Sequence, residues 1–201
     1  MLKTCIKHPL LYIALSGMLL SACAGFTGTP QPDVPEKIRA AYHKALNTMK
    51  AGKYKSAIQQ FKRIAKSQPQ LAGPYTNLGM LYLKTNSLEQ AQQSLQKAVE
   101  LNPSNTIAYN YLGIVYRNQG RFDDAEKAYL KALEIDKSYE YAHLNLGILY
   151  DLYKSDSLKA ISYYRQYLEL SEQPDKIVEK WIVDIQRRGT AEAQAKEEVQ
   201  G

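Results

Sequence analysis

Leucine and tyrosine return at spacings of three and four through the middle of this chain, the pattern of amphipathic helices with one apolar stripe. The stripe itself repeats. Leu78-Gly79, Leu112-Gly113 and Leu146-Gly147 stand at intervals of 34 residues, and each pair is followed, three residues past the glycine, by Tyr82, Tyr116 or Tyr150. Ala57, Ala91 and Ala125 keep the same interval and Ala160 follows after 35, while Phe61, Leu95, Tyr129 and Tyr164 track them four residues on. Pro69 and Pro103 close two of the units. Self-similarity at a fixed period of this length predicts helical hairpins stacked in an array, because one such hairpin cannot bury its apolar flanks alone.

A glycine inside a helix costs about 1 kcal/mol relative to alanine, so glycine at the same place in three helices needs an offsetting gain. Close approach of the second helix supplies it, and the small residues Ala91, Ala98, Ala125 and Ala132 point the same way. These positions resemble the tetratricopeptide repeat. The stretch TIAYNYLGIVYRNQGRFDDAEKAYLKALEIDKS keeps nearly every consensus feature except the closing proline, where Lys137 stands. The resemblance bounds four units at 38–71, 72–105, 106–139 and 140–173, and implies an all-α, right-handed superhelix of about four helix-turn-helix repeats with a capping helix at its C-terminal end.

The two ends read differently from the array. Lys44 and Thr48 take apolar positions in the first unit, which suits a terminal repeat. At the other end Pro174 and Asp175 can start a capping helix over 174–188, with Ile177, Trp181, Ile182 and Ile185 as its core stripe. Residues 189–201, GTAEAQAKEEVQG, lack such a stripe and are expected to form a disordered tail. Repeat four carries one extra residue in its inter-helix turn, and Tyr167 stands where alanine is usual, so a splayed pair with Tyr167 packed under the cap is expected.

Ahead of the array, Lys3 and Lys7 precede an apolar run that ends in Leu20-Ser21-Ala22-Cys23. The run is too short for the roughly 20 residues of a membrane-spanning helix, and residues 1–22 read as a secretory signal. The four closing residues resemble the bacterial lipobox, which makes Cys23 the expected lipidation site. Residues 23–37, rich in Pro and Gly, read as a tether. Ala24, rather than Asp, follows the cysteine, and the resemblance then implies the periplasmic face of the outer membrane. Cleavage leaves Cys23 as the one cysteine, so an intramolecular disulfide has no second thiol.

Composition narrows the chemistry further. The formal charge of +6 falls by two when Lys3 and Lys7 leave, and most of the remaining bases alternate with acids along helices, so no nucleic-acid partner is expected. The densest basic group is Lys53, Lys55, Lys62, Arg63 and Lys66, read first as a solvated helix face and second as a surface for anionic headgroups. His43 and His143 are 100 residues apart, and His143 takes a site held by Tyr75 and Tyr109 in earlier repeats, which makes it a packing residue. Asp123 and Asp124 point about 100° apart in a helix and help to start it rather than share a proton. Most of the tyrosines that recur sit at repeat core positions. No catalytic constellation, phosphate loop, metal site or cofactor is expected, and no small-molecule substrate.

In tetratricopeptide proteins the first helix of each repeat lines a concave wall that holds peptides or partner helices. Carried over to this chain, the resemblance implies a groove formed by Thr76, Met80 and Lys84, by Asn110, Ile114 and Arg117, and by Tyr141, Ile148 and Asp151. Met80, Ile114 and Ile148 would be its apolar floor, and Asn110 and Arg117 its donors to a peptide backbone or carboxylate. The expected partner is a protein or peptide. The combination of lipobox and repeats resembles pilotin lipoproteins of type IV pilus and secretion assembly. It also resembles lipoproteins that act as adaptors for peptidoglycan hydrolases, and both readings stand open beside a third, an accessory chain of polysaccharide export or outer-membrane protein assembly.

Overall fold

Each apolar stripe becomes a helix, and each break in it becomes a turn. The computed structural model describes residues 34–173 and 175–200, so the signal segment, Cys23 and the first part of the tether lie outside the described residues. Helices α1 (Glu36–Lys50) and α2 (Tyr54–Ser67) make the first hairpin, and α3 (Ala72–Lys84) and α4 (Leu88–Leu101) the second. The third is α5 (Thr106–Asn118) with α6 (Phe122–Ile135), and the fourth α7 (Glu140–Leu152) with α8 (Ser157–Leu170), before a last helix α9 (Lys176–Gln200). Among the described residues there is no strand, and the chain is the all-α superhelix that the period predicts.

The turn inside each hairpin needs one residue in the left-handed region. Gly52 at φ 72°, Asn86 at 57°, Gly120 at 75° and Ser155 at 52° fill that place in the four repeats. Glycine adopts it without a Cβ penalty, and asparagine with a small one. Ser155 lies one residue later than the period demands, which is where the extra residue of repeat four is absorbed.

The mid-helix glycines serve close approach. A Cβ on Gly79 would lie within 3.0 Å of Leu95, one on Gly113 within 3.0 Å of Tyr129, and one on Gly147 within 3.0 Å of Tyr164. Leu95, Tyr129 and Tyr164 are fully buried against those bare backbones, and in repeat one Ala45 and Phe61 are buried at the corresponding positions. Repeat four is as tight at this crossing as its neighbours, so the expected splaying is absent there. The buried residues continue from hairpin to hairpin: Ala128 joins the core of the first three repeats, and Ala125 and Tyr129, on the same helix, belong to the core of the fourth and the cap.

At the first repeat, Thr48 accepts from Gln60 Nε2 at 3.1 Å across α1 and α2, so a polar contact replaces the usual apolar one. At the last, Asp175 accepts from the backbone N–H groups of Ile177 and Val178 and begins α9 as expected. The stripe that α9 buries is Val178, Ile182 and Ile185. Ile177, which the sequence assigned to that stripe, is 62% exposed, and Trp181 lies at its edge with its ring 5.5 Å from Tyr164. Tyr167 is buried under the cap and donates to Asp175 Oδ2 at 3.1 Å. The helix runs on to Gln200 instead of stopping at 188. Ala, Glu, Gln and Lys favour helix by propensity, which outweighs the cost of about 1 kcal/mol at Gly189 even without a core stripe.

Candidate partner-binding face

Residues three, four and seven apart share one face of a helix. On α5 this sets Ile107, Asn110, Ile114 and Arg117 in line, and on α7 Tyr141, Leu144, Ile148 and Asp151. Helices α3 and α5 touch directly, as do α5 and α7, so the first helices of successive repeats form a continuous wall.

The structure divides the nine residues expected in the groove. Met80, Ile114 and Ile148 are half-buried, with Ile114 and Ile148 resting on the core of the fourth repeat. Lys84 and Tyr141 are exposed. Thr76 and Asn110 are not open to a partner. Thr76 is buried, donates to Ala72 O and accepts from Asn105 Nδ2 at 2.8 Å. Asn110 is buried and accepts from Asn145 Nδ2 at 3.0 Å. Consecutive first helices approach so closely on the inner side that a polar residue there is consumed between them.

Arg117 is held in the same network, donating from Nη1 to Asn145 Oδ1 at 3.3 Å. Asn145 was not among the expected residues. Its signal was available, since Asn77 and Asn145 occupy the same repeat position two periods apart, and Asn77 donates to Tyr42 Oη at 2.6 Å in the corresponding way. Asp151 is also engaged: Arg188 of α9 donates to its Oδ1 at 2.7 Å. Burial pushes the nearby Tyr164 phenol up, and the Asp151 carboxylate adds to the shift. The C-terminal ends of α3, α5 and α7 thus present Lys84, a tethered Arg117 and a neutralised Asp151.

The N-terminal ends are aromatic. Tyr139 and Tyr141 meet edge to face at 5.8 Å, and Ile107 and Tyr141 are exposed. Tyr139 is pushed up to about 12 by burial, then by Tyr111 and Tyr141 close by. The Tyr139 phenol therefore stays neutral near pH 7, and Tyr139 and Tyr141 both offer hydroxyl groups beside apolar ring faces.

On the outer wall a cleft of about 680 Å³ lies between α6 and α8, with Leu133, His143 and Tyr163 among its lining residues. His143 is the buried packing residue expected, its Nε2 on Lys137 O at 2.9 Å, so that nitrogen carries the proton. Asp123 and Glu126 on α6 both bind Lys154 of the next repeat, and Glu126 also accepts from Tyr150 Oη. Burial pushes Glu126 up, yet Lys154 and Tyr150 together hold it below its ordinary value. Asp124 pairs with Arg121 instead, so the adjacent carboxylates act separately. Gln92 accepts from Gln119 Nε2 at 3.0 Å, and Glu126 is held in the Lys154 network. Among the described residues, no group of three or more His, Cys, Asp or Glu side chains is placed to hold a metal ion, and no helix is long and apolar enough to cross a membrane.

Residues 76–140 match the tetratricopeptide repeat family. Among solved structures, the crystal structure of MamA is 27% identical, with a TM-score of 0.61, over 68% of this chain and 79% of that one. YrrB, a TPR protein with an unusual peptide-binding site, is 26% identical with a TM-score of 0.59, over 70% and 71%. PilF of Pseudomonas aeruginosa superposes with a TM-score of 0.70 at 19% identity, over 81% of this chain and 73% of that one, a likeness of fold. No curated protein matches the chain in sequence. The fold is a tetratricopeptide-repeat superhelix.

Proposed function

We propose that this chain is a lipid-anchored scaffold of the bacterial envelope that holds a protein or peptide partner on the wall formed by α3, α5 and α7, in assembly of a type IV pilus or a secretion complex. The observation that carries the binding role is the apolar row Met80, Ile114 and Ile148, which repeats at the period and stays half-open although the residues on either side of each are buried. Apolar area left uncovered at three successive positions of a wall is area that a partner can cover. Tyr141 and Ile107 extend the row at one end, and Lys84 and Arg117 place donors at the other. The peptide-binding site of YrrB, a similar array, supports the same use of the fold.

The lipid anchor rests on Leu20-Ser21-Ala22-Cys23, and the pathway on the resemblance of lipobox plus repeats to pilotin lipoproteins. The test is photo-crosslinking in cells from a reactive residue at Ile114, with Gln93 and Lys127 on exposed outer positions as controls, followed by mass spectrometry. Capture of a secretin or pilus component from Ile114 alone supports the proposal. A peptidoglycan hydrolase as the captured species selects the adaptor reading instead, and capture from the controls alone removes the groove. For the anchor, Cys23→Ser abolishes fatty-acid labelling and releases the protein from membranes; unchanged retention overturns lipidation at that thiol.

A further inference from the structure

Charge is distributed unevenly along the array. Residues 34–71 hold nine lysines and arginines against one acid, Glu36, whereas residues 72–201 hold fifteen against eighteen acids. The structure adds that the two regions treat their bases differently. In repeats two to four many are neutralised by pairs such as Lys97 with Glu100, Arg121 with Asp124, Lys131 with Glu134 and Lys154 with Asp123 and Glu126. Among the described residues of repeat one, Arg39 pairs with Glu36 at a long 3.9 Å.

The remaining bases of that repeat lie on its open surface. Lys55, Lys62 and Lys66 are exposed at spacings of seven and four, which is one stripe of α2, and Arg63 stands beside them. The opposite stripe, Ala57, Phe61 and Ile64, is buried, so α2 is amphipathic with a basic outer face. A second basic area lies on α1 and the following turn, where His43, Lys44 and Lys53 line a shallow depression together with Asn47 and Thr48. Among the described residues that line it, none is acidic.

We propose that the α1–α2 hairpin is a docking surface for anionic phospholipid headgroups. Bases without counter-charges are attracted to a negative surface within roughly a Debye length, about 10 Å at 0.1 M salt, and lysines and arginines act additively there. The choice of a lipid over another polyanion rests on the lipid-anchor reading, because twelve residues separate Cys23 from Glu36 and this hairpin is the folded element nearest the acyl group along the chain. Contact at α1 and α2 would leave α3, α5 and α7 free for a partner.

The test uses the chain from Ala24 to Gly201, which lacks the acylated cysteine and keeps the whole unit from Pro35 onward. It is sedimented with vesicles of phosphatidylcholine alone and of phosphatidylcholine with one-third phosphatidylglycerol. Binding is expected to the second only, and to vanish at 1 M salt, where the Debye length is about 3 Å. Combined Lys55→Glu, Lys62→Glu, Arg63→Glu and Lys66→Glu lowers the partition coefficient on the order of a hundredfold or more. The same charge change at Lys84, Lys127, Lys137 and Lys176 has a far smaller effect, and circular dichroism shows that both variants are folded. Absence of binding, equal binding to both vesicles, or equal loss in the two variants overturns the proposal. The Ile114 crosslink in full-length protein reports separately, since loss of lipid docking leaves it intact and loss of the groove leaves vesicle binding intact.

Discussion

Arg188, twelve residues into α9, donates to Asp151 Oδ1 on α7 at 2.7 Å, and so ties the capping helix to the inner face of the last repeat. The Asp151 side chain is only 10% exposed, whereas that of Arg188 is 59% exposed. Solvent therefore screens one partner and much less the other.

Arg188→Ala removes this tie. Discounted for the exposure of the arginine, the pair contributes about 0.5–1 kcal/mol, which lowers the melting temperature by roughly 1–4 °C at low salt and less at high salt. Thermal melts followed by circular dichroism check it. A melting temperature that is unchanged at low salt removes the tie from the account.

Gly113→Ala and Gly189→Ala are expected to act in opposite directions. The first puts a methyl within 3.0 Å of the buried Tyr129 and costs about 1–3 kcal/mol by overpacking. The second meets nothing within 4 Å and stabilises α9 by up to about 1 kcal/mol. Urea midpoints of the two variants, measured side by side, decide the matter.

Asn110→Ala leaves Asn145 Nδ2 without its buried acceptor and costs about 1–3 kcal/mol. Because Arg117 also uses Asn145, the Asn110→Ala and Arg117→Ala effects are non-additive. A double-mutant cycle that sums to zero coupling contradicts the network.

Acid should loosen the contact between α6 and the fourth repeat. Glu126 has a folded pKa below its ordinary value of 4.5, so its contribution is fully present above that pH and is lost as pH falls through the folded value. Lys154→Met removes a principal cause of the lowering, and its stability changes less between pH 5 and pH 3 than that of the unaltered chain. Urea midpoints against pH test the sign. A steeper acid loss in the variant refutes it.

Trp181, the one tryptophan, reports the cap. A terminal unit has a neighbour on one side only, so α9 is expected to undock before the inner hairpins unfold. Tryptophan emission then shifts at lower denaturant than the far-ultraviolet circular dichroism signal. Coincident transitions show a single cooperative unit.

Much of this architecture was legible in the residues alone. The interval between Gly79, Gly113 and Gly147 carries both the period and the partner of each glycine, because a missing Cβ has meaning only where another helix comes close. Three of the four turn positions follow from the same interval, whereas the start of α9 follows from the capping chemistry of Asp175, and the burial of His143 and Tyr167 from the places they take in the repeat. Which face a residue occupies is a local property of 3.6-residue geometry, and local properties are written in one helix.

How far a face is open depends on the distance to the next helix, and no single helix contains that distance. Thr76 and Asn110 stand on the inner stripe as the pattern says, yet the packing of α3, α5 and α7 encloses them. The exchange of Ile177 for Val178 on the cap and the reach of Arg188 to Asp151 depend likewise on the angle at which α9 crosses α8. Sequence periodicity determined the helices, their order and their apolar stripes; tertiary packing decided which inner residues remained available, because burial is set by neighbours far along the chain.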